Sequence, residues 1–511
     1  MGRARVGGTG RVVSENLPVF QTALAPSETQ SRAPFVRHVM STFGITVVQQ
    51  FVGLARQILI AAYFGLSRSY DQYLVVYAVA TMLAFNTASV FDTVAVSRLV
   101  RIRENAGKDA FWRSSNRLLL QAIFGGLLFA VGLVILVHPL LPIIAAGFTA
   151  SERASVAELT VYFAPWILLV IPYYAISAHL KALWDFHWVF GAETAAMVVS
   201  CLVLWVWHDS VTWLPVAYGA GYLVALIVLA LRRGISRSRD KDPPAELLRG
   251  MANQHLANQI GTVGGFVDRY FQSFLASGGI SALGYTGQIV NNLSSLMTFR
   301  EIYVVPLSSK IGRDEKLQRM LQGIVLISIP CTFFIAEFAN PLVTTLFQRG
   351  QFTPEAATLT ADILRISAIS LISSSVLAPM ARLFQILDRI AYSHVLYLVS
   401  LICTAAFQYL LVFRLGWDVY GVVWAGIANS AVVTLIVAGL IRHCGIVVKW
   451  HRVFGHALFA AVVSAAAVAV SWLGSARFAG LPALAIGGGL FGLVVAGCYF
   501  LVRRRLRLII G

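Results

Sequence analysis

Charge is what this chain has least of. Only 12% of its 511 residues are Asp, Glu, Lys or Arg, roughly half of what a soluble domain carries. An ordinary soluble core is thereby excluded. The hydrophobic fraction of 58% and the mean hydropathy of +0.74 point to a polytopic membrane protein instead. Cysteine is scarce as well. Five are scattered, mostly in apolar runs, and no CxxC pair occurs, so neither a disulfide framework nor a zinc site is argued. His255 has no second ligand at a useful spacing, which speaks against a metal site. The phosphate-binding GxxxxGK[ST] loop is missing, so ATP is not the direct energy source. No Ser/His/Asp or paired-carboxylate arrangement stands out, and no enzyme chemistry is expected. Residues 1–34 lack an apolar run and are rich in Gly, Arg, Ser and Pro. They read as a disordered cytoplasmic tail rather than a signal peptide.

What the chain does have is fourteen apolar stretches, from 38–64 and 71–98 through 187–207 to 481–502. Most are long enough for a tilted transmembrane helix. Lys and Arg cluster in the even loops. Arg98, Arg101, Arg103, Lys108, Arg113 and Arg117 follow the second span; Arg232, Arg233, Arg237, Arg239, Lys241 and Arg249 follow the sixth. Smaller clusters follow spans eight, ten and twelve, and the fourth span offers only Lys181. The odd loops carry at most one basic residue each: Arg68, Arg153, Arg349, Arg414, Arg477. That alternation is the positive-inside pattern. It places both termini in the cytoplasm, requires an even number of spans, and explains the net charge of +17 without nucleic acid. Every odd loop is short, which argues against a glycan ligase or polymerase.

An internal repeat organises the spans. GFTASERASVAEL begins at Gly147 after span three, and GQFTPEAATLTADIL begins at Gly350 after span nine. The offset is six spans, so the two halves lie parallel, and a binding cavity is expected between them. The expected organisation is all-α: a tail (1–34), a six-helix lobe (35–232), a basic linker (233–249), a second six-helix lobe (250–445), and two further helices with a basic tail (446–511). Prolines 165, 172, 330, 341 and 379 are expected to break their helices, as suits a transporter.

Intramembrane charges carry the functional signal. Each costs about 2.5–3.5 kcal/mol on insertion scales, so each should face a cavity or a partner. Arg56 sits in an apolar run, and Asp71 opens the next span. They are read as a pair lining a polar cavity, Arg56 holding a phosphate group bidentately. Asp268 and Arg269 are adjacent, point to different faces, and each need another partner. Asp268 is a candidate for coupling a proton or cation. Arg300 and Glu301 lie deep in span eight. Gln288, Asn292 and Ser295 share a face of that helix, a polar stripe suited to a sugar headgroup. Arg365 and Glu337 are a candidate gating pair. Glu158 and Glu193 are placed nearer span ends. A drug antiporter and a non-transporting scaffold stand as alternative readings.

Several stretches resemble one family. VGLARQILIAAYFGLSRSYDQYLVVY, FQSFLASGGISALGYTGQIVNNL, AAGFTASERASVAELTVYFAPWILL and LFQRGQFTPEAATLTADILRISA are similar to segments of MurJ/MviN-type lipid II flippases. That family lies within the multidrug/oligosaccharidyl-lipid/polysaccharide exporter superfamily. The resemblance covers most of 40–445, and the two later helices fit it. It implies two six-helix lobes in a V, with a lipid-tail groove at the last two helices. It implies a bacterial inner-membrane carrier of polyprenyl-diphosphate glycans for peptidoglycan biosynthesis or polysaccharide export. Such a carrier would work by alternating access on an ion gradient or the membrane potential, without a cofactor, beside membrane lipids and synthesis enzymes. The chain also departs from the family pattern. Where the pattern reads SRVLGLVRD, this chain reads QQFVGLARQ: Gln50 replaces an arginine, Gln57 an aspartate, and Arg56 remains. Ala78 and Gln288 stand at two further arginine positions, and Asp71 matches the family's acid. The expected substrate-binding set is Arg56, Asp71, Gln50, Arg269, Gln288, Asn292 and Arg300. Asp268, Glu301 and Arg365 are the expected coupling or gating residues. The lost cations favour a related lipid-linked saccharide over lipid II itself.

Overall fold

The computed structural model describes residues 32–234, 263–297, 307, 312–387, 389–475, 478 and 480–506. Residues up to Ser41 form one unit and Thr42–Gly511 another, and both helical lobes belong to the second. Arg300 and Glu301, all of the linker but Arg233 and Gly234, and nearly all of the tail lie outside the described residues, as does His255.

The described chain is helical throughout. In the first half the helices are α1 (Arg32–Phe64), α2 (Arg68–Val90), α3 (Val96–Ile144), α4 (Ala150–Ala182), α5 (Phe186–Val206) and α6 (Trp213–Arg233). A wide turn, Phe91–Ala95, joins α2 to α3. In the second half follow α7 (263–272), α8 (Gly279–Met297), α9 (Arg313–Phe347), α10 (Pro354–Ser367), α11 (Ser370–Ile386), α12 (Ile390–Gln408) and α13 (Asp418–His443). Two last helices are α14 (Trp450–Ser475) and α15 (Gly480–Leu506).

Among the described residues ten helices are long and apolar enough to cross a membrane, or eleven counting one bent pair. The expected spans two, seven and eight correspond to α2, α7 and α8, which are not among them.

Local chemistry accounts for the breaks. In α3 the backbone turns out of helical geometry at Gly107 (φ 82°), a conformation that only glycine adopts without strain. The expected tenth span is two helices, α10 and α11, bent by 46°. The bend falls at Ala368–Ile369 and not at Pro379, which stays inside α11. The carbonyl of Ala368 accepts from the Leu371 amide and from the Thr332 hydroxyl of α9, each at 3.1 Å, so the bend is tied to α9. Both copies of the repeat start their helix in the same way. Thr149 accepts from the Glu152 amide ahead of α4, with Glu152 returning the bond. Thr353 accepts from the Ala356 amide ahead of α10, with Pro354 as the first helical residue.

The first lobe packs α2, α3, α5 and α6 around α4, whose Phe163, Trp166, Ile167 and Tyr173 are fully buried. The second lobe has its own core on α9, α11 and α13, including Leu321, Met380 and Val437. The two last helices lie against α9. Phe334 and Phe338 of α9 meet Phe491 and Gly487 of α15, and the Tyr499 hydroxyl donates to the Leu326 carbonyl at 2.7 Å.

Candidate functional site

Gln49 and Arg56 lie seven residues apart on α1, two helical turns along one face. Across from them α5 brings Glu193, α4 brings Trp166 and Tyr174, and α6 brings Tyr218 and Tyr222. Together these enclose a cavity of about 170 Å³ inside the first lobe. The guanidinium carbon of Arg56 stands 4.5 Å from the centroid of the Tyr218 ring. A desolvated cation on an aromatic face gains about 2 kcal/mol, which offsets part of the cost of carrying the charge into the bilayer. The Arg56 Nε is buried and has no hydrogen-bond partner. Gln49 donates through Nε2 to a Glu193 carboxylate oxygen at 2.8 Å, while its own Oε1 is buried without a partner. The cavity thus holds one cation, one carboxylate, an idle donor and an idle acceptor, walled by aromatic rings. That chemistry fits a ligand carrying both anionic and hydroxyl groups.

Asp71 does something else. It is completely buried, and its partners are not Arg56. It accepts from the amides of Gly278 (2.7 Å) and Ser281 (2.8 Å) and from the Ser281 hydroxyl (2.6 Å). These donors belong to the start of α8, so a carboxylate of the first lobe caps a helix N-terminus of the second. Arg68, 3.9 Å from Asp71, reaches Glu152 at 2.7 Å and lies over the Phe148 ring. The expected Arg56–Asp71 pair therefore separates into two sites, a cavity within one lobe and a clasp between lobes.

Backbone contacts complete the clasp, at the end where the odd loops gather. Gly65 (φ 52°) ends α1, and a side chain there would run into the carbonyl of Gln351. Gly350 (φ 58°) lies just before α10, and a side chain there would run into the carbonyl of Ala62. The Gln351 amide donates to that same Ala62 carbonyl at 2.8 Å. Gly147 in turn packs on Ser273, whose hydroxyl accepts from the Gly147 amide at 2.9 Å, and Gly278 packs on Leu66. Each lobe presents its repeat loop to a helix end of the other.

The remaining expected residues are dispersed. Gln49, not Gln50, faces the cavity, and Gln50 is half-buried elsewhere on α1. Asp268 accepts from the buried Gln408 side chain, and Arg269 donates to Gln272 one turn along its own helix at 2.7 Å. Gln288 donates to Asn292 at 3.0 Å, so these two partly satisfy each other. The Ser295 side chain lies outside the described residues. Arg365 pairs with Asp362 at 3.1 Å and donates to the Ala336 carbonyl, in place of the expected Glu337 pair. Sequence reading named Glu193 only as a charge nearer a span end and gave it no role, and it missed Gln49 and the glycine clasp. No group of three or more metal-ligating side chains occurs among the described residues.

Comparison with known proteins completes the picture. A family model described as lipid II flippase MurJ matches residues 60–486. The probable lipid II flippase MurJ of Bdellovibrio bacteriovorus is 25% identical over 348 residues, 63% of this chain and 65% of that protein. The match thus spans slightly under two thirds of that relative's length. The probable lipid II flippase MurJ of Aquifex aeolicus is 22% identical over 424 residues, 78% of this chain and 81% of its own. Among solved structures, a lipid II flippase MurJ in an inward closed conformation superposes with a TM-score of 0.73 at 16% identity, covering 91% of this chain and 99% of that one. An inward-facing multidrug resistance MATE transporter of the MOP superfamily reaches 0.61 at 13% identity, covering 84% and 98%. At these identities the structures speak for the fold alone. Membership follows from the sequence match, which covers most of the chain: this polytopic membrane protein belongs to the MurJ lipid II flippase family.

Proposed function

We propose that the protein moves an undecaprenyl-diphosphate-linked saccharide, lipid II or a related exopolysaccharide unit, across the bacterial cytoplasmic membrane by alternating access. It makes and breaks no covalent bond. The observation that carries this reading is Arg56, a cation in a membrane-buried cavity whose Nε has no partner. An arginine so placed is a ready phosphate contact. The relatives named above supply the class of substrate, and the clasp supplies a contact that alternating access has to break. The loop charges orient both termini toward the cytoplasm. An ion gradient or the membrane potential drives the cycle, and enzymes of cell-wall or polysaccharide synthesis act before and after it.

Depletion of the protein, followed by identification of the polyprenyl-linked intermediate that accumulates, tests the reading. Accumulated lipid II with lysis identifies a peptidoglycan flippase. A different lipid-linked glycan with missing surface polysaccharide identifies a specialised exporter. No accumulation of either overturns the proposal. Arg56→Ala, expressed and inserted normally, is expected to fail to rescue the depleted strain, and Arg56→Lys to rescue it only in part, since a lysine lacks the two-pronged donor. Full rescue by Arg56→Ala removes Arg56 from the headgroup site.

A further inference from the structure

The cavity contains a carboxylate that headgroup binding does not require. Glu193 is the eighth residue of α5, about 10 Å along the helix from its start at a rise of about 1.5 Å per residue. It thus lies about two turns inside an apolar helix long enough to cross a membrane. Its oxygen is held by Gln49, which shares a face of α1 with Arg56. The charged and titratable groups that line the same cavity, with Gln49, are Arg56 from α1, Tyr77 from α2, Tyr174 from α4, and Tyr218 and Tyr222 from α6. Arg56 is the one full charge among them. With Glu193 ionised the cavity is neutral overall. With Glu193 protonated it carries the whole arginine charge.

We propose that Glu193 is a proton-binding site that sets the affinity of this cavity for an anionic headgroup. The inference rests on the assignment of Arg56 to the diphosphate. Uptake of a proton by the carboxylate leaves the arginine uncompensated, and the cavity then favours an anion. Release of the proton restores neutrality, and the anion leaves. The protonated acid keeps a carbonyl oxygen for Gln49 Nε2 and gains an O–H donor, which Gln49 Oε1 is idle to accept. Linkage makes the effect reciprocal: headgroup binding draws a proton onto Glu193. Two unit charges two helical turns apart, about 10 Å, in a medium of effective dielectric near 20 alter anion affinity by roughly tenfold.

The test uses the full-length protein in lipid nanodiscs and a polyprenyl diphosphate capped with one sugar, whose two phosphates keep a constant charge over the range studied. Affinity is measured between about pH 5.5 and pH 8, with proton uptake on binding read by a pH dye. The wild type is expected to bind roughly tenfold more tightly at the acid end and to take up protons as it binds. Glu193→Gln, which keeps the shape of the side chain, is expected to bind tightly at both ends with no slope and no uptake. Glu193→Ala should also lose the slope, so the outcome does not hang on one variant, and a thermal unfolding scan shows that each is folded. A wild-type slope retained in both variants overturns the inference. Arg56→Ala separates the two claims. If it binds as the wild type does, the headgroup assignment fails. If it loses binding while the Glu193 variants keep the slope, only the proton site fails.

Discussion

Asp71 shows how much one buried side chain does here. Its carboxylate accepts three hydrogen bonds from the start of α8. Hydrogen bonds to a charged group contribute about 1.5–3 kcal/mol each, and water recovers much of that when the lobes part. Asp71→Asn keeps the shape but removes the charge and turns one acceptor into a donor. It is expected to shift the balance toward the parted state by about tenfold, one hydrogen bond's worth. The labelling rate of Leu66→Cys, in a background without the five native cysteines, reads that balance, because Leu66 is covered by Gly278 in the closed clasp. An unchanged rate would mean that Asp71 serves the fold alone. Asp71 and Arg56 were both legible in the sequence as charges in apolar surroundings, but their partners were not. Gly278 and Ser281 lie more than 200 residues from Asp71, and nothing local announces them. Glu193 could be seen as a charge near a span end but was given no role, because its partner is Gln49, 144 residues earlier.

At the level of elements, the repeat loops do the closing. Thr149 and Thr353 start α4 and α10 with side-chain caps, and the glycines before them let two backbones touch. Gly350→Ala places a methyl group against the Ala62 carbonyl in the closed clasp, in a backbone conformation (φ 58°) that disfavours any side chain. Gly426→Ala, on α13, meets nothing within 4 Å and improves helix propensity. Transport by Gly350→Ala is expected to fall at least about tenfold at normal membrane levels, and transport by Gly426→Ala to stay unchanged. Equal effects would show that the clasp is not part of the cycle. The repeat and the turn signals GFT and GQFTP could be read directly from the chain, because capping residues and glycine act locally. The break in the tenth span could not. Proline marks where a helix loses a donor, yet Pro379 sits within α11 and the bend lies at Ala368–Ile369, where Thr332 from another helix also bonds the Ala368 carbonyl.

On the scale of the whole molecule, composition and loop charge were sufficient for an all-helical membrane protein, and the repeat set the last two helices apart, but their packing against α9 was not legible in the chain. Hydropathy reads the average of a long window, and that average survives a wrong guess about any one residue. Reporter domains fused after Gly234 and after Gly511 are both expected to be active in the cytoplasm and inactive outside it. A reporter inserted after Gln351, in an odd loop, is expected to show the opposite. The reverse result would exchange the two mouths of the carrier and send the clasp to the inner face. The clasp itself has a rough two-fold symmetry: the loop before α4 meets the end of α7, and the loop before α10 meets the end of α1. Neither half can be released while the other holds, since both join the same two lobes. Opening should therefore pass over a single barrier and follow a single exponential, with each half acting as a spare lock for the other until the moment both give way.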